Sequence, residues 1–62
     1  MLNTAVEQAL NDQIQKEFHS AYIYLGMSAY FEAENLPGAA HWMRHQAGEE
    51  QEHAMKIFDF IQ

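Results

Sequence analysis

The stretch ENLPGAA, residues 34–40, decides the fold. It holds the chain's single proline and one of its three glycines, and the residues on both sides are mostly good helix formers. Asn35 suits the stop of one helix. Pro37 suits the first turn of the next, where its missing N–H is no loss. Near the start of the chain, Thr4 followed by Glu7 reads as a capping box. The pattern predicts helix A over about residues 4–34 and helix B over about 37–61. Gly26 and Gly48 lie inside these segments and lower the propensity somewhat. A connection this short makes the helices antiparallel neighbours. Residues 1–62 therefore read as one all-α, antiparallel two-helix hairpin.

Composition narrows what such a hairpin does. A chain of 62 residues makes one domain at most. At that size a staple is usually needed: a disulfide, a metal or a partner chain. There is no cysteine, which excludes disulfides and thiolate-bound zinc or iron–sulfur sites. Nine acidic residues stand against three basic ones, for a net charge of −6. That surface repels phosphate backbones and anionic lipid and attracts cations, so the expectation is no nucleic acid, no membrane and an affinity for metal. No secretory signal is visible and no apolar run is long enough to span a bilayer, which makes a cytoplasmic location the expectation.

Helical phase sorts the polar groups. With Glu17 set at zero on helix A, Val6, Leu10, Ala21, Tyr24, Ser28 and Phe31 fall within about 40° of it. Ile14 lies on one shoulder and Leu25 a little beyond. With Glu50 at zero on helix B, Ala39, Met43, Ala54, Ile57 and Ile61 fall within about 40°, and Ala40, Ala47 and Phe58 form one shoulder. His53 lies about 60° away on the other shoulder, Glu49 is borderline, and Glu52 points about 160° away with His41, Arg44 and Asp59. Each helix thus centres one glutamate in an apolar stripe.

A glutamate in that position is costly unless paired or coordinated. Glu50 and His53 are neighbours at i, i+3. Glu17 and Glu50 lie at similar distances from the turn, so antiparallel packing brings them to one level. Carboxylates with one imidazole suit iron, manganese or zinc, and ligand type alone does not select among them. The competing reading is two partly exposed glutamates at a loose seam. The coincidence on both helices favours metal ligation. Tyr24 reads first as a core tyrosine, two turns from Glu17 and placed to hydrogen-bond a ligand. His19, His41 and His45 lie off the stripes. Trp42 and Phe60 read as packing and Met43 as core filler. Tyr22, Ile23 and Tyr30 lie on the outer side of helix A, which points to contact with another subunit. No nucleophile triad or phosphate loop is present.

The stretches KEFHSAYIYL, NLPGAAHWM and EEQEHAMKIFD resemble the first two helices of bacterial non-haem ferritins, and the resemblance covers nearly the whole chain. It implies an iron-storage protein built on a four-helix bundle with a dinuclear ferroxidase site. In such bundles a Glu from each of two helices joins a Glu-x-x-His from each of the other two. Carried over, Glu17 is the first-helix ligand, Glu50 the bridging carboxylate and His53 the imidazole ligand. Tyr24 is the tyrosine beside the centre, and Glu49 serves an accessory third iron position. The family subunit continues through two more main helices that carry the remaining glutamates. These 62 residues hold about half of such a site.

Two hairpins related by a two-fold axis would rebuild the bundle, with two copies each of Glu17, Glu50 and His53. The expected partners are therefore a second copy of the chain, Fe²⁺ and O₂. The rival expectation is a structural hairpin that assembles without a working iron site.

Overall fold

A computed structural model describes residues 2–62, and they form two α-helices joined by a tight turn. Helix α1 spans Thr4–Ala33 and helix α2 spans Pro37–Ile61. The helices lie alongside each other as an all-α hairpin with overall dimensions of 49 × 14 × 10 Å.

The start of α1 differs by one residue from the capping box expected at Thr4 and Glu7. Asn3 is the N-cap, and its Oδ1 accepts the Val6 N–H at 2.9 Å. Asn caps at least as well as Thr. With the cap at residue 3, the reciprocal position falls on Val6, which has no polar group to return the bond.

The turn uses its residues as the sequence suggests. Asn35 adopts a left-handed conformation with φ of 59°. The Leu36 N–H reaches back to the Phe31 carbonyl at 2.8 Å, and the Asn35 N–H to that of Glu32 at 3.0 Å. This paired return is the Schellman motif, which satisfies carbonyls left open at a helix end. Asparagine tolerates the left-handed region better than most residues with a Cβ. Pro37 then opens α2, and the Leu36 carbonyl accepts the Ala40 N–H at 3.0 Å.

The helices meet through small side chains. Ala21 and Ser28 are the buried residues of α1, and Ala40, Ala47 and Ala54 those of α2. Within each set the spacing is seven residues, close to two full turns, so each set forms one line along its helix. Small residues let the backbones approach. At the turn end the Ser28 hydroxyl donates to the Ala40 carbonyl at 2.7 Å.

Larger apolar residues stand on either side of this seam. Ile14, Tyr24, Phe31, Met43, Ile57 and Ile61 are half-buried. Val6, Leu25 and Phe58 remain exposed, as do Trp42 and Phe60 at 57% and 67%. The expectation that Trp42 and Phe60 pack within the chain is therefore corrected. Two helices touch along one line, and side chains on the shoulders are covered only by a further layer. Tyr22, Ile23 and Tyr30 are exposed on the outer side of α1, as expected from their phase. The exposed surface of 4854 Å² compares with about 4100 Å² for a compact monomer of this mass.

Ser28→Ala tests the seam. Among the described residues its hydroxyl makes the one side-chain-to-backbone hydrogen bond between the helices. Losing it costs about 1 kcal/mol, and a thermal melt by circular dichroism should drop by roughly 4–8 °C.

Candidate metal centre

Glu17 sits midway along α1, and Glu50 and His53 occupy successive turns of α2. The Ala47–Ala54 section of the seam brings the helices together at this level, and the three side chains converge beside it. One donor atom from each lies within 4.8 Å of the other two. His53 Nδ1 is 3.7 Å from Glu17 Oε2 and 3.9 Å from Glu50 Oε2. The carboxylate side chains are largely covered, at 17% and 20% exposure, while the imidazole is 53% exposed. The site is thus walled by the hairpin on one side and open on the other.

The two carboxyl groups lie close enough to shift each other's titration. The hydrogen bond with Glu50 holds the Glu17 carboxyl below its ordinary value, assisted by the Gln13 amide and by His53. The same bond raises Glu50, with partial burial and the Glu17 charge acting in the same direction. Of the two, Glu50 is therefore the carboxyl that keeps its proton to higher pH. This is the expected result when two acids meet at one place and only one can ionise easily.

The donor set fits a divalent transition metal. Donors held at about 2.1 Å from one ion, at angles of 90–110°, lie about 3.0–3.4 Å apart. Separations of 3.7 and 3.9 Å need only a small inward movement of side chains already aimed at one point. A cation would compete with the proton that Glu50 holds more readily than usual, because ligating carboxylates must be ionised.

Of the residues singled out from the sequence, Glu17, Glu50 and His53 are brought together. Glu49 stands outside this group, exposed, with Oε1 at 3.7 Å from His45 Nδ1. Tyr24 is half-buried two turns along α1, and among the described residues no hydrogen bond joins its hydroxyl to the three donors. One participant escaped the phase argument. Gln13 lies one turn before Glu17, and its Nε2 donates to Glu17 Oε1 at 2.8 Å. The signal for it was the i, i+4 spacing of an amide and a carboxylate.

An all-α hairpin that gathers two carboxylates and an imidazole beside its seam is of the class of helical bundles with carboxylate-rich centres. The ferritin-like domain family matches residues 7–62, and the chain belongs to that family. It is 44% identical, over 98% of its length, to a bacterial non-heme ferritin of Bacteroides fragilis, of which it covers 38%. It is 39% identical, again over 98% of its length, to a bacterial non-heme ferritin of Staphylococcus aureus, of which it covers 37%. The chain therefore spans under two-fifths of the length of these relatives. Among the described residues no helix is long and apolar enough to cross a membrane.

Proposed function

We propose that this chain binds ferrous iron at Glu17, Glu50 and His53, and that two associated hairpins oxidise it with dioxygen for storage. The observation that carries the reading is the convergence of three donors from two helices within 4.8 Å. The names of its relatives support iron over manganese or zinc, which the same donors would accept.

In this reading Glu17 and His53 are terminal ligands to one ferrous ion and Glu50 bridges to a second. The open side of the site and the half-buried apolar residues around it face a second hairpin. That copy supplies its own Glu17, Glu50 and His53, giving a symmetric site for two ions. Each Fe²⁺ gives up one electron. One O₂ accepts both electrons and two protons and leaves as hydrogen peroxide, with two Fe³⁺ remaining. The protein's share is to hold the ions at one place with compensating negative charge. Tyr24 lies on the same face and is placed to hydrogen-bond a ligand once the bundle closes. Glu49, next in sequence to Glu50, serves an accessory cation position after release from His45.

Anaerobic titration with Fe²⁺ tests the site. The expected result is saturation at about one iron per chain, lost in His53→Ala, with the fold retained because His53 is half exposed. Weak, non-saturating uptake that His53→Ala leaves unchanged would instead mark a structural hairpin without a working site. Sedimentation checks the assembly. A well-folded monomer whose mass is independent of concentration, with and without iron, overturns the paired hairpins.

A further inference from the structure

We propose that Gln13 is a positioning residue for Glu17: its amide clamps one carboxylate oxygen and leaves the other for an incoming cation. The inference rests on the cation site proposed above and assigns a role to a side chain outside the three donors.

The two oxygens of Glu17 have different neighbours. Oε1 accepts from Gln13 Nε2 at 2.8 Å. Oε2 faces His53 Nδ1 at 3.7 Å. A free carboxylate turns easily about its terminal bond and binds cations through one oxygen or through both. A donor fixed on Oε1 engages one of its lone pairs and restrains that rotation, so Oε2 is directed to the place where Glu50 and His53 converge.

Glutamine has the chemistry for this task. Its NH₂ end is the only end that can face a carboxylate, and it donates without adding a positive charge that would repel the cation. Both residues are on α1 at i, i+4, so the clamp is built by one helix and does not depend on how the helices pack. Such a pair adds only a few tenths of a kcal/mol to a helix. Removing it should leave the fold almost untouched, so its effect belongs to the site.

The test uses Co²⁺ as an air-stable probe with visible ligand-field bands. Gln13→Met keeps length and helix propensity and removes the donor. The expected result is an unchanged melting temperature, Co²⁺ affinity lower by about 10-fold or more, and a shifted visible band as Glu17 changes its mode of ligation. Glu17→Gln should lower affinity at least as much, and adding Gln13→Met to it should do nothing further, because Gln13 acts through Glu17. A Gln13→Met protein with parental affinity and spectrum, while Glu17→Gln loses binding, overturns the clamp and leaves the site standing. Parental Co²⁺ binding in Glu17→Gln, or no saturable binding by the parent, overturns both. A fall in melting temperature that accounts for the whole loss of affinity also overturns the clamp.

Discussion

Glu50→Gln is expected to abolish the proposed ferrous oxidation, while at neutral pH the protein should melt no lower than the parent. The two halves of this expected result come from one feature. In the proposed centre Glu50 is the carboxylate shared by two ferrous ions, so its loss would affect the whole centre. Changing groups that merely support metal ligands costs 10–100-fold, and loss of a bridging ligand should reduce oxygen consumption by about 100-fold or more. The fold responds differently because the Glu50 carboxyl is raised by its hydrogen bond with Glu17 and by partial burial.

The pH dependence has a definite sign. A group raised in the folded state contributes stability that is full below its unfolded value and lost as pH rises through the folded one. The contribution of Glu50 to the fold therefore falls as pH rises, and a neutral glutamine removes its repulsion with Glu17. Glu17, held below its ordinary value, has the opposite dependence: its contribution is present above the unfolded value and lost as pH falls through the lowered one. Cation uptake by the parent should weaken as pH falls through the raised Glu50 value, because the cation must then displace the proton on Glu50. Oxygen consumption, with thermal melts at neutral and acidic pH, checks each part. Parental oxidation rates in Glu50→Gln would sink the proposed chemistry.

Ala54→Leu should destabilise the hairpin markedly and drive the helices apart. Ala54 has no exposed surface and lies where α2 meets α1, one turn beyond Glu50. Leucine adds three heavy atoms with nowhere to go. Overpacking of a close seam costs about 1–3 kcal/mol. A chain of this length has only about 3–9 kcal/mol of stability in all. Any relief by separation of the helices also widens the gap between Glu17 and His53, so cation binding falls with the melting temperature. Gly48→Ala is the matched control. A Cβ there meets nothing within 4 Å, and alanine favours the helix by about 0.8–1 kcal/mol. It should raise the melting temperature. A stable Ala54→Leu variant with parental affinity would show that the small seam does not set the site.

Much of this was open to inspection in the residues. Asn35 and Pro37 mark a stop and a start because one tolerates the left-handed region and the other lacks an N–H. The helix limits follow from that punctuation. Glu17, Glu50 and His53 were separable from Glu52 because helical phase is a local property of each segment. Glu49 was borderline in phase and is exposed beside His45 in the structure. Asn3 and Thr4 are adjacent and both able to cap, so the sequence pattern leaves the cap position open by one residue.

The packing was harder to read. Phase placed Val6 and Phe58 near the stripes, yet both are exposed while Ala40, Ala47 and Ala54 are buried. A wheel gives direction but not distance. Which residues make the contact depends on how closely two backbones approach, and that is set by the smallest side chains along the line. Direction alone also could not reveal that Glu17 divides its oxygens between Gln13 and the site.

By itself, then, the sequence determined two helices, their turn and the three candidate ligands, because each depends on backbone preferences or phase within one segment. Only the tertiary structure decided that the helices meet through alanines, and that the donors lie within 4.8 Å. Those are distances between segments, and they arise from the approach of two surfaces rather than from either surface alone.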